Sequence, residues 1–350
     1  MKKLLSLVVL LCAINFSYSQ ESHKKEYKIH TVAFYNLENL FDTIDDISTK
    51  DEYSPILQLK SKKSETYWNK IDNMARVILS IGKEKTRRSP TIVGLCEIEN
   101  DAVLEDLVKS RFLKEKGYSY INIPSSDWRG IDVALLYKEK YFSVSDFKNF
   151  VLKAYNKEGY RVKTRDQLLV SGYLETELIH FIINHWPSQR GGQKKSDYLR
   201  LKSAELTVEI IEKLKEEELT PKIIVMGDFN DDPTAKSLKT ILKTKDKKKK
   251  LSINDLFNPY EMLFKKGFGT LGFRDNINLF DQIILTSNFI SENKTYTSLK
   301  LYKANVYNPN FLITNKGRYR GYPFRSWSNG SFTGGFSDHF PVYVYLIKEK

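Results

Sequence analysis

The segment Gly227-Asp228-Phe229-Asn230 sets two oxygen-bearing side chains two residues apart, directly after the apolar run Ile223-Ile224-Val225-Met226. That run reads as a buried strand, and period-2 geometry points Asp228 and Asn230 to one side of its C-terminal end. Carboxylate and amide oxygens on rigid backbone are what a hard cation or a phosphate group requires. The same four residues also read as a turn, because Gly, Asp and Asn are turn formers. Their company favours a site. Polar residues close other apolar runs at Asn36, Glu97, His185 and Asp281, and strand ends are where open α/β sheets bind ligands.

The elements that would position these residues follow from hydrophobic periodicity. Ile29–Tyr35 reads as a strand ending at Asn36, and Asp42–Lys63 as a polar surface loop. Ser64–Ile81 carries a helical stripe of Tyr67, Trp68, Ile71, Met74, Ala75, Ile78 and Leu79, closed by Gly82. Thr91–Ile98 is a strand, with shorter ones at Tyr118–Ile123, Ile131–Tyr137, Leu168–Leu174 and Leu178–Asn184. A second helix covers Ser196–Glu218, before the Ile223–Met226 strand and a short helix at Ser237–Leu242. The basic run Lys243–Lys250 reads as a solvated loop. Further strands fall at Leu279–Leu285 and Phe340–Ile347. Strands interrupted by two long helices predict an α/β sandwich, with the polar strand ends meeting at one edge.

The first residues read as a processing signal. Lys2 and Lys3 form a positive n-region, Leu4–Ile14 an apolar core, and Ser17-Tyr18-Ser19 a small-x-small cleavage site before Gln20. The apolar stretch is too short to anchor in a bilayer, and Leu11 before Cys12 is too bulky for a usual lipobox. Residues 1–19 are therefore expected to be a signal peptide, and the protein to be exported, secreted or periplasmic. Residues 20–350 are expected to form one domain with no transmembrane segment, since no second long apolar run, repeat or linker divides them. Loss of Lys2 and Lys3 takes the formal charge from +13 to +11, which favours an anionic partner. Cys96 is then the only cysteine, so an intrachain disulfide and a thiolate-rich metal site are excluded.

Six segments combine these features: Tyr35-Asn36-Leu37-Glu38-Asn39, Leu95-Cys96-Glu97-Ile98-Glu99-Asn100, Asn184-His185-Trp186-Pro187-Ser188, Gly227-Asp228-Phe229-Asn230, Leu279-Phe280-Asp281-Gln282-Ile283 and Ser337-Asp338-His339. In order and spacing they resemble the endonuclease/exonuclease/phosphatase superfamily, the deoxyribonuclease I-like fold, from about Ile29 to Ile347. The opening Tyr-Asn-Leu-Glu-Asn-Leu-Phe-Asp is similar to a branch common among secreted bacterial members. The resemblance implies a four-layer α/β/β/α sandwich and a metal-dependent phosphodiester hydrolase using Mg²⁺ or Mn²⁺, with Ca²⁺ as a further candidate. It makes Glu97 the principal metal carboxylate, helped by Asn36, with Asp338 as a further candidate. Asp228 and Asn230 would position and activate the attacking water. His339 would face the scissile phosphate with Asp281 holding its imidazole, and His185 would contact a phosphate oxygen or the leaving group. Either Asp228 or His339 could be the base.

Other residues carry weaker signals. Glu99 shares a strand face with Glu97 and is an alternate ligand. His23, His30 and His180 match no motif, and Cys96 stands where many members of the superfamily place a glutamine. Arg129 and Arg190 are candidates for substrate phosphates, as are Asp132 and the Gly191-Gly192 turn. Export and basic charge favour a nuclease acting on DNA or RNA, with Trp128, Tyr160 and Trp327 available to stack bases. The alternatives are a phosphodiesterase or phosphatase acting on lipid headgroups or small phosphate esters, and an inactive anion-binding module.

Overall fold

The computed structural model describes residues 25–189, 192–273, 275–291 and 294–350. The expected signal peptide, His23, Arg190 and Gly191 lie outside the described residues. In chain order the main strands are β1 (Tyr27–Leu40), β2 (Ile92–Ile98), β3 (Tyr118–Asn122), β4 (Asp132–Lys138), β5 (Phe142–Phe150) and β6 (Gln167–Leu174). They continue as β7 (Glu177–His185), β8 (Ile223–Asp228), β9 (Leu256–Phe257), β10 (Asp281–Thr286), β11 (Lys300–Val306) and β12 (Val342–Glu349). Two six-stranded sheets result, ordered β11-β12-β1-β2-β4-β3 and β9-β10-β8-β7-β6-β5.

Strand alternation builds the layers. On β8, Ile224 and Met226 join the core between the sheets, with Phe34, Leu95 and Ile283. Its intervening residues Ile223 and Val225 face the other way, onto Ala204, Ile210 and Leu214 of helix α3 (Gln193–Glu217). Helix α1 (Lys63–Ser80) buries Tyr67, Ile71, Met74, Ala75 and Ile78 against the first sheet. Helix α2 (Asp101–Lys109) begins where Asn100 Oδ1 accepts the Val103 N–H at 3.0 Å, an N-cap. The α/β/β/α sandwich expected from the sequence is thus present. No described helix is long and apolar enough to cross a membrane.

Topology brings the polar strand ends together. Each sheet has a central parallel pair, β1 with β2 and β7 with β8, and parallel neighbours finish at the same edge. Asn36 therefore pairs with Cys96, and Asp228 with His185. β10 runs antiparallel to β8 and starts at Asp281, directly opposite Asp228. β12 is antiparallel to β1, so the Ser337-Asp338-His339 segment before it enters at this edge too. Gly227 is required by the crowding: a Cβ there would lie 2.4 Å from Asn184 O.

Two expectations fail locally, both for backbone reasons. β8 stops at Asp228, and Asn230 adopts φ 50°, so the two side chains do not follow one extended alternation. A register shift between Cys96 and Ile98 leaves Glu97 at φ 60°, which breaks the face that Glu97 and Glu99 were expected to share.

Candidate active site

Asp228 Oδ2 is the centre of the arrangement. The Nε2 atoms of His185 and His339 lie 3.8 Å and 3.9 Å from it. Asn36 Nδ2 donates to it at 3.1 Å and to Glu97 Oε1 at 3.3 Å. His185 Nε2 is also 3.8 Å from Glu97 Oε1. Asp228 Oδ1 accepts the Asn230 N–H at 2.9 Å, so the left-handed turn after the strand fixes the carboxylate. On the far side of His339, Nδ1 lies 2.7 Å from Asp281 Oδ2. The His339 backbone is tied in by its N–H to Ser337 Oγ at 3.1 Å, and Ser337 Oγ donates to Asn36 O at 2.7 Å.

The two histidines are driven to opposite charge states. Burial opposes protonation of His339, but the Asp281 and Asp228 carboxylates outweigh it and hold its pKa well above the usual value. Burial pushes His185 well below, with the charges of Arg165, Arg129 and His339 adding to it. His185 Nδ1 is buried with no hydrogen-bond partner. Burial raises Asp228 to about 7, opposed by the His339 charge and reinforced by Asp281 and Glu97. An imidazolium and a neutral imidazole thus flank one carboxylate poised near neutrality.

The three residues expected to hold metal divide. Glu97 keeps Oε1 turned to the cluster while Oε2 accepts the Asn39 N–H at 2.9 Å. Asn36 turns its amide nitrogen, not its oxygen, to the carboxylates, because Oδ1 accepts the Glu38 N–H at 2.9 Å. In this arrangement it links Glu97 to Asp228 as a donor. Asp338 is turned outward to Arg325, with Oδ2 3.2 Å from Nη2. Glu99 leaves the group altogether, accepting the Asp42 N–H at 2.7 Å. A divalent cation nevertheless fits the edge. Glu97 Oε1 and Asp228 Oδ2, bridged by the Asn36 amide and each 3.8 Å from His185 Nε2, bring two carboxylate oxygens together, and the Glu97 charge helps to raise Asp228. Oxygen-rich donors of this kind suit Mg²⁺ or Mn²⁺.

Around the cluster, other sequence candidates separate. Asn230 Nδ2 donates to Trp186 O at 2.9 Å, so its amide braces the β7 end. Arg129 stands at the rim, its Nε 3.5 Å from Asp127 Oδ1. Asp132 is buried and accepts the Ser125 N–H at 2.8 Å, which makes it a turn anchor. Trp327 is buried against Phe332 and cannot stack a base, whereas Trp128 and Tyr160 are exposed. His30 and His180 are buried at the opposite end of their strands, bonded to Thr91 and Glu175 and to Ser171.

Sequence reasoning missed two supports. Arg165 is buried and donates to His185 O at 3.2 Å and Trp186 O at 2.8 Å, with Asp127 Oδ2 3.3 Å from its Nη1. Glu38, inside a quoted motif but given no role, accepts from Arg325 Nε at 3.1 Å and Ser326 N at 2.5 Å. Burial and the nearby Asp338 raise Glu38 to about 7, against the charges of Lys70 and Arg325. Proximity to Asn36 was the only signal for Glu38; nothing marked Arg165.

The profile of the Endonuclease/Exonuclease/phosphatase family matches residues 31–348. No curated protein matches the sequence. Among solved structures, humanized D. rerio TDP2 is similar with a TM-score of 0.54 at 15% identity, over 91% of this chain and 98% of that one. A Bacteroides thetaiotaomicron mannosyl-6-phosphatase gives 0.52 at 20% identity, over 91% and 99%. The human Nocturnin catalytic domain with bound sulfate gives 0.51 at 15%, over 93% and 97%. At these identities the likeness establishes the fold.

Proposed function

The chain belongs to the endonuclease/exonuclease/phosphatase family, whose members hydrolyse phosphate esters and generally use divalent metal ions, and on that premise we propose that it is a metal-dependent phosphodiesterase acting on nucleic acid. The observation that carries the reading is Asp228 Oδ2, set between the Nε2 atoms of His185 and His339 at 3.8 Å and 3.9 Å. Glu97 would hold the cation, with Asp228 beside it. When bound, the cation would neutralise charge on the phosphoryl oxygens and polarise the phosphorus centre.

The chain's own groups account for the rest. Asp228, raised to about 7, takes a proton from the attacking water as its oxygen bonds to phosphorus. His339, held as an imidazolium by Asp281, is the wrong charge for a base and instead donates Nε2–H to a phosphoryl oxygen. The bond from phosphorus to the leaving oxygen breaks as the bond to water forms, and the departing oxygen takes its proton from solvent water. Neutral His185, 3.8 Å from Asp228 Oδ2, contacts a phosphoryl oxygen. Asn36 keeps Glu97 and Asp228 in fixed relation throughout.

A nucleic-acid substrate is supported by the formal charge, +13 for the full sequence and +11 after loss of Lys2 and Lys3, and by exposed Trp128 with the Arg129 guanidinium 5.7 Å from its ring centroid. Export is supported by the Lys2-Lys3 and Leu4–Ile14 pattern. The test is a panel of plasmid DNA, single-stranded DNA, RNA, sphingomyelin, phosphoinositides and sugar phosphates, each with Mg²⁺, Mn²⁺ or Ca²⁺. Cleavage of a nucleic acid, with binding that weakens steeply as salt rises, is expected. Salt-insensitive turnover confined to lipid headgroups or small esters would overturn the nucleic-acid assignment and leave the phosphoesterase one.

A further inference from the structure

The loop joining β1 to α1 carries a second concentration of carboxylates that the proposed reaction does not use. Asp45, Asp51 and Glu52 present oxygens within 4.8 Å of one another. Asp45 and Glu52 are exposed, but Asp51 is 1% exposed. Its Oδ2 accepts the Asp46 N–H at 2.8 Å, while Oδ1 is buried with no hydrogen-bond partner. An unpartnered buried carboxylate oxygen among other carboxylates is costly unless a cation satisfies it. Among the described residues, the side-chain cation paired within the trio is exposed Lys50, 3.8 Å from Glu52, which leaves Asp51 uncompensated.

We propose that the Asp45–Glu52 turn is a Ca²⁺ site, with Asp51 as its buried ligand and Asp45 and Glu52 closing it from the solvent side. Ca²⁺ fits because it accepts irregular all-oxygen sets from loops, completed by backbone carbonyls and water, whereas Mg²⁺ demands near-ideal octahedral geometry. The site would be structural. The Lys50 N–H donates to Trp128 O at 2.9 Å, and the Tyr53 ring meets the Trp128 ring at 5.8 Å. A bound ion would therefore fix this loop against the Trp128-Arg129 turn at the rim of the active site.

The test is calorimetric titration of CaCl₂ into the chelator-stripped protein held in saturating Mg²⁺, paired with thermal denaturation. One equivalent of Ca²⁺ should bind, with a Kd on the order of 10⁻⁴ to 10⁻³ M for a site of this kind, and raise Tm. Asp45→Asn with Glu52→Gln, both solvent-facing and tolerable to the fold, should weaken binding at least tenfold and remove the Tm rise. Asp51→Asn should do the same if it folds. Absence of a Ca²⁺ equivalent in the wild type, or unchanged binding in the double variant, would overturn the site.

Discussion

His339 Nδ1 lies 2.7 Å from Asp281 Oδ2 although 58 residues separate them. The contact exists because β10 begins opposite Asp228 while the segment before β12 enters at the same edge. Residues that act through one imidazole should not contribute additively. His339→Ala is expected to lower kcat by about 10² or more, and Asp281→Asn by somewhat less, since the ring stays but loses its charge partner. The double variant should be little worse than His339→Ala alone. Fully additive losses in steady-state kinetics would separate the pair.

Asn36 and Glu97 should fail differently. Glu97→Gln removes a carboxylate and is expected to weaken Mg²⁺ binding, read as a rightward shift of the metal activation curve. Asn36→Ala removes the donor shared by Glu97 and Asp228 and should lower kcat by roughly tenfold to a hundredfold, with a smaller shift in that curve. If Asn36→Ala shifts metal affinity as much as Glu97→Gln does, its oxygen is a ligand after all.

Glu99 gives a pH signature in stability. Burial raises its pKa from 4.5 to about 8, against the Asp42 N–H that favours its ionised form. The folded chain then binds more protons than the unfolded chain between those values, so stability falls as pH rises through the window. Glu99→Gln should flatten the decline of Tm from pH 5 to pH 8.5 in metal-free buffer. The relief should be about 2 kcal/mol after allowing for partial solvent screening. Parallel Tm profiles for the two proteins would show that Glu99 ionises normally.

Much of this site was legible because its residues end apolar runs. Each of Asn36, Glu97, His185, Asp228 and Asp281 borders an apolar run. His185 and Asp228 end their strands, Asp281 begins one, β1 and β2 run on past Asn36 and Glu97, and parallel pairing inside each sheet brings these positions to one edge. Element interiors were readable for the same reason: the expected Ser64–Ile81 and Ser196–Glu218 helices appear as Lys63–Ser80 and Gln193–Glu217. Weakly patterned elements were not. β5 is an edge strand exposing Asp146, Phe147 and Lys148, so no clean alternation marks it, and α2 spans only nine residues. The Ser237–Leu242 helix proves to be a single π turn, Ser237–Ile241. Networks of distant partners are also invisible in sequence. Arg325 meets Glu38 across 287 residues, and which atom Asn36 turns inward depends on the Glu38 N–H.

The most direct measurement is hydrolysis of a nucleic-acid phosphodiester by wild type and Asp228→Asn, each with EDTA and with Mg²⁺ or Mn²⁺ restored. The wild type should be inactive in EDTA and recover with the cation. Asp228→Asn, checked for retained fold by thermal denaturation, should lose on the order of 10² to 10⁴ in kcat even at saturating metal. Full turnover in EDTA, or near-normal turnover by folded Asp228→Asn, would contradict a metal-dependent reaction in which Asp228 takes the proton of the attacking water.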